Sequence, residues 1–205
     1  RTALLYAIDE ATRLNPGAHF ELVQPPAGIE PLDAIESDHC DLSFTFRVVE
    51  GSPDKEPSVS DQGVYSQVIP LGTGKLLFAV PKESPVASCE TVRIEQLRNE
   101  TFFALADKVH DEAKETFTAI CNSKGIEPRF DPVHTADWEE FYLYGRGNGT
   151  FLLYERTSPE EHDSVIQKLA EQMSIVRLSA DEDYWMETCI LYREETLGSA
   201  AIRCL

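Results

Sequence analysis

Apolar residues recur at helical spacing through Leu4, Ala7, Ile8, Ala11 and Leu14, and Asn15-Pro16-Gly17 stops that pattern. A short strand is predicted over 19–23, closed by Pro25-Pro26, and a short helix over 28–36. The run Leu-Ser-Phe-Thr-Phe-Arg-Val-Val at 42–49 is aromatic and β-branched, which predicts a strand. Residues 50–63 carry Gly, Pro, Ser and Asp with little apolar content and read as a surface loop. Two strand-like runs follow within 64–80, joined by Leu71-Gly72-Thr73-Gly74. Beyond Pro85 the pattern predicts a short helix at 91–99, then an apolar strand at 101–105.

An amphipathic helix is predicted over 111–123, with Ala113, Phe117, Ile120 and Cys121 on one face and Gly125 as its stop. The strand at 126–133 contains Pro128, which suits a strand start or an edge. A helix at 137–144, a strand at 150–154 and a helix at 160–172 come next. Strands at 175–178 and 188–192 and a short C-terminal helix near Ser199 complete the order. Alternation of strands and helices predicts an α/β fold with parallel sheets covered by helices. Back-to-back strands occur only around 64–80 and 174–192, where a chain could cross between two layered halves. The expected architecture is therefore two Rossmann-like lobes joined by two crossover strands, lobe I from 1–73 plus 182–205 and lobe II from 74–181.

Composition narrows the function classes. The 205 residues are 42% hydrophobic and 26% charged, ordinary for a globular protein, and no stretch reaches the roughly 20 apolar residues that span a bilayer. Asp and Glu number 36 against 18 Lys and Arg, a formal charge of −18 that repels phosphate backbones and anionic lipid surfaces. The five cysteines are widely spaced without a C-x-x-C, so neither a disulfide framework nor a zinc site is signalled, and a reduced cytoplasm is expected. Gly72-Thr73-Gly74-Lys75 lacks the remaining Walker residues, and the five histidines include no i, i+4 pair. No serine elbow is present, and no cofactor, metal site or catalytic set is implied.

The order of elements and several segments resemble the effector-binding domain of LysR-type transcriptional regulators, which have a type 2 periplasmic-binding-protein fold. The stretches that carry the resemblance are LNPGAHFELV at 14–23, LDAIESDHCDLSFTF at 32–46, VIPLGTGKLLFAVPKESPVA at 68–87 and VRIEQLRNETFFAL at 92–105. TFTAICNSKGIEPRF at 116–130, LYGRGNGTFLLYE at 143–155 and the closing segment 188–205 continue it in order. Asp38-His39-Cys40 departs from the family's usual Gly before Asp41, and Tyr154-Glu155 stands where Leu-Pro is common. The chain opens on Arg1 without a basic-then-apolar leader and is expected to be a fragment lacking the family's opening strand and winged helix-turn-helix.

The resemblance implies a ligand-sensing regulatory domain that is not an enzyme, pairs as a homodimer or tetramer, and touches DNA only through the absent N-terminal domain. A small polar or anionic effector is expected between the lobes, beyond the carboxyl ends of the strands, where helix starts present unpaired N–H groups. The residues placed there are Thr2 at the first helix start, Phe44, Thr45 and Phe46, the turn Leu105-Ala106-Asp107, and His134-Thr135-Ala136. Thr135 is the leading candidate, although Thr135 or Asp137 also suits a helix cap alone. Arg47 alternates away and is read as a salt-bridge or solvent residue. An exported solute-binding protein of a transporter is the alternative with the same fold, and an enzyme built on the same clamp is the third.

Overall fold

A computed structural model describes residues 12–13, 16–17, 21, 23, 28–51, 66–135, 140–142, 149–156 and 169–193. The chain divides into two compact units, one of residues 1–44, 59–69 and 190–205, the other of 45–58 and 70–189. The expectations for 52–65 and the C-terminal helix lie outside the described residues, as do most of the first helix, the 19–23 strand and the 137–144 and 160–172 helices.

In the first unit, helix α1 (Pro31–Glu36) is shorter than the predicted 28–36, because Pro31 begins it and Gly28 takes φ +86° ahead of it. It buries Ala34 and Ile35 completely. The turn after it bends through Asp38 at φ +61°, fastened by the His39 N–H donating to the Ala34 carbonyl at 2.9 Å. That left-handed residue occupies the place where glycine is usual in the resembled family, and Asp is among the few other residues that tolerate it.

The second unit is built on strands β1 (Leu42–Glu50), β2 (Ser66–Pro81), β3 (Thr91–Val92), β4 (Thr101–Leu105), β5 (Arg129–Val133), β6 (Thr150–Arg156), β7 (Met173–Leu178) and β8 (Tyr184–Arg193). β1, β2 and β8 each continue past the unit's boundary. The strand order is β1-β8-β2-β6-β4-β5, with β7 also pairing β2 and β3. β4 is parallel to β5 and β6, whereas β2 is antiparallel to β6 and β7. The sheet is therefore mixed, with antiparallel pairings at β2 beside the parallel pairing that the alternation predicted.

A second correction concerns β2. The two runs predicted within 64–80 are one 16-residue strand, β2. Gly74 does not turn the chain: a Cβ there would lie 2.1 Å from the Glu155 carbonyl oxygen, so the missing side chain lets β6 come close. The predicted helix at 91–99 is instead β3 and a 3-10 turn, Ile94–Leu97, because the Glu182 carboxylate accepts the Ile94 N–H at 2.8 Å and Gln96 accepts that of Arg93 at 2.8 Å.

β2 is apolar without alternation because both of its faces are covered. Leu76, Phe78 and Val80 enter one core with Phe102, Phe117, Cys121 and Val176, and Leu77 and Ala79 enter another with Phe103, Phe151, Leu153 and Met173. Helix α2 (Asp111–Ser123) has the predicted bounds and seals the first core through Ala113, Phe117 and Cys121. Phe117 meets Phe102 edge-on at 5.1 Å, and Gly125 ends the helix segment at φ +72°.

Candidate functional site

The parallel pair β4 and β5 ends in register, Leu105 beside Val133, and the Ala106 N–H donates to the Val133 carbonyl at 2.9 Å. This bond holds the turn after β4 next to His134 and Thr135. Leu105 itself is 8% exposed and packs in the second core, so its part is to anchor the turn. The chain then bends through Asp107 into α2.

Asp107 organises that bend. Its Oδ1 accepts the His110 backbone N–H at 2.9 Å and is 2.7 Å from His110 Nδ1. Burial pushes the Asp107 carboxyl up, but its hydrogen bonds and charge interaction with His110 outweigh this and hold it below the usual carboxylate range. Asp111 behaves alike: burial raises it, and Lys114 at 2.7 Å with Lys108 at 3.0 Å bring it down. Asp111 and Glu112 in the first turn also suit the positive end of the helix dipole.

β1 is the end strand in the sheet order, and α2 is bonded to it. Thr45 is 3% exposed, and its Oγ1 donates to Glu112 Oε2 at 2.8 Å. Phe46 stacks on the His110 ring, centroids 4.7 Å apart. The Val48 N–H donates to Thr116 Oγ1 at 2.9 Å, and that hydroxyl donates to the Glu112 carbonyl at 2.8 Å. Helix side chains thus take up a backbone donor of the end strand, one way of blunting a sheet edge. Arg47 forms an ion pair with Glu187 at 2.8 Å, with both side chains largely buried.

The fold brings Thr45, Phe46 and Asp107 together through His110 and Glu112, and sets Ala106 beside the β5 end that carries His134 and Thr135. His134 is exposed, and Thr135 Oγ1 donates to Glu140 Oε2 at 2.6 Å. Phe44 is half-buried and belongs to the first unit. Thr2 and Ala136 lie outside the described residues. Sequence reasoning missed His110 and Glu112. An Asp three residues before a His ahead of an amphipathic helix is a capping signal that could have flagged Asp107 and His110. The pairing of His110 and Glu112 with β1 has no local signal. A shallow hollow in the first unit, lined by Ile29, Asp33, Glu36 and Ser37, contains none of the expected residues.

Among the described residues no helix is long and apolar enough to cross a membrane, and no three His, Cys, Asp or Glu side chains are grouped to hold a metal. No family model matches the sequence, and no curated protein does. Solved structures do. The regulatory domain of MetR, a LysR family regulator from N. meningitidis, in a form with two cysteines replaced by serine, superposes with a TM-score of 0.64 at 15% identity, over 98% of this chain and 84% of that one. The effector-binding domain of QuiR in complex with shikimate gives 0.64 at 12% identity, over 98% and 85%. The C-terminal domain of a probable LysR family transcriptional regulator from Rhodococcus sp. RHA1 gives 0.63 at 20% identity, over 98% and 89%. Likeness at such identities is likeness of fold, and here it spans nearly the whole chain. This chain has the fold of LysR-type regulatory domains, the α/β, type 2 periplasmic-binding-protein-like architecture.

Proposed function

We propose that this chain is the ligand-sensing regulatory domain of a cytoplasmic LysR-type bacterial transcription factor, responding to a small polar or anionic effector. The observation that carries the reading is the superposition over 98% of the chain on regulatory domains, one of them holding shikimate. The effector contacts proposed are Thr45, Phe46, Ala106, Asp107, His134 and Thr135, with His110 and Glu112 added from the geometry. Phe44, Thr2, Leu105 and Ala136 remain in the proposal only as the resemblance implies them. DNA contact belongs to a winged helix-turn-helix outside these residues, since a chain of charge −18 has no attraction for phosphates. Pairing into a homodimer or tetramer, and the lobe division at 1–73 plus 182–205 and 74–181, are parts of the same proposal.

Calorimetric titration of the purified chain against a library of small metabolites tests it. The expected result is one metabolite class that binds, raises Tm, and loses affinity when Asp107 is replaced. A chain that stays folded and binds no member of the library overturns the reading. Sedimentation measures the oligomer independently.

A further inference from the structure

Resting on that reading of the site, we infer that Arg47 is a further effector contact, and that the group it takes is a neutral carbonyl or amide oxygen. A guanidinium carries five N–H donors on a planar fork. Arg47 commits one of them: its Nε donates to Glu187 Oε2 at 2.8 Å, and among the described residues neither Nη1 nor Nη2 makes a hydrogen bond. The side chain is nevertheless only 12% exposed. Cys189 beside it is fully buried and offers a thiol, which is a weak acceptor. Leaving charged donors unbonded at that depth is costly. Neither Nη is sealed off, because neither is among the side-chain nitrogens buried without a partner. The open end of the fork therefore faces space that solvent reaches.

Its place ties it to the contacts already proposed. Arg47 and Thr45 are two residues apart on β1, so both side chains leave the same face of the strand. Thr45 donates to Glu112 at 2.8 Å, and the Glu112 charge also acts on Arg47. Charge then selects the class of acceptor. Glu187 already neutralises Arg47 at 2.8 Å, and Glu112 adds a second negative charge beside it. An incoming carboxylate would meet both, within the field of a chain of formal charge −18. A neutral carbonyl oxygen takes the unbonded N–H groups without that repulsion.

The test sets amides against their acids, benzamide with benzoate and succinamide with succinate. Each is titrated into the purified chain by calorimetry, and the guanidinium signals of the native chain are followed by nitrogen NMR. The amides are expected to bind at millimolar concentration, more tightly than the acids, and to move the Arg47 Nη signals. Arg47→Lys keeps a charge opposite Glu187 but loses the fork. It should weaken amide binding roughly tenfold to a hundredfold, the worth of one charge-assisted hydrogen bond. An acid that binds more tightly than its amide would overturn the neutral class. Amide binding that leaves the Arg47 signals still and ignores Arg47→Lys would place the amide elsewhere and overturn the contact. Silence from all four probes overturns the inference too, while the effector reading stands or falls separately with the metabolite library. Were Arg47→Lys to unfold, the NMR signals of the native chain decide the matter.

Discussion

The imidazole of His110 lies almost flat on the ring of Phe46, tilted by 10° at 4.7 Å between centroids, while its Nδ1 is held by Asp107. A residue of the α2 start is thereby clamped between the end strand of the sheet and the turn that leaves β4. Stacked aromatic pairs contribute about 0.5–1.5 kcal/mol beyond the area they bury. Phe46→Ala should therefore cost about 2–3 kcal/mol, less than a fully buried phenylalanine because the ring is only half-buried. Phe46→Leu should recover part of it. Urea unfolding followed by circular dichroism reads both, and a Phe46→Ala midpoint equal to the native one would show that the stack contributes nothing.

Acid should weaken this fold partly through Asp107 and Asp111. Both carboxyls are depressed in the native state, the bonds from His110 and from Lys114 and Lys108 overcoming burial. The unfolded chain binds their protons more readily, so the stability they supply is present above an unfolded pKa of about 3.9 and is lost as pH falls through the lower native values. Urea midpoints between about pH 6 and about pH 2.5 should fall more steeply for the native chain than for Asp107→Asn. Parallel curves would remove Asp107 from the account.

Glu182 is 3% exposed and is held by the Ile94 N–H at 2.8 Å and by Lys124 Nζ at 3.0 Å, which also lies over the Tyr184 ring. Glu182→Ala strands a buried amide, leaves Lys124 the longer contact to Glu95 at 3.9 Å, and should cost about 2–4 kcal/mol. Glu182→Gln keeps an acceptor for Ile94 and should cost about half of that. Equal losses in thermal unfolding would mean that charge, and not the amide bond, dominates.

Two glycines should separate sharply on replacement by alanine. At Gly74 the new Cβ meets the Glu155 backbone at 2.1 Å, and β2 or β6 must move, at about 3 kcal/mol. At Gly125 nothing lies within 4 Å, and only the backbone at φ +72° is penalised, by about 1 kcal/mol. Chemical denaturation ranks the pair. The reverse order would refute the close approach of β6.

Burial pushes the Cys121 thiol up to about 12 and the Cys189 thiol up to about 11. Cys40 and Cys89 are only partly buried. Iodoacetamide at about pH 8 should therefore label Cys40 and Cys89 in the folded chain and reach Cys121 and Cys189 only after unfolding. Mass spectrometry of the labelled peptides checks it, and rapid labelling of Cys121 would contradict the core that α2 seals.

Local pattern was enough for the elements whose cause is local. The bounds of α2 followed from Ala113, Phe117 and Cys121 at helical spacing and from Gly125. β4 followed from its apolar run, and the α/β class followed from the alternation of such pieces. The turns at Leu105-Ala106-Asp107 and His134-Thr135 were legible as ends of strands in that fold. What no local pattern could express was pairing. Gly74 looks the same in sequence whether it turns the chain or admits a carbonyl from β6, and the difference is made by Glu155, far along the chain. The Thr45 and Thr135 hydroxyls also look the same whether their protons are available or already given to Glu112 and Glu140. A hydrogen bond depends on distances of about 3 Å, and only the folded chain sets those, so the tertiary structure alone decided the pairing of β2 and the partners of Thr45 and Thr135.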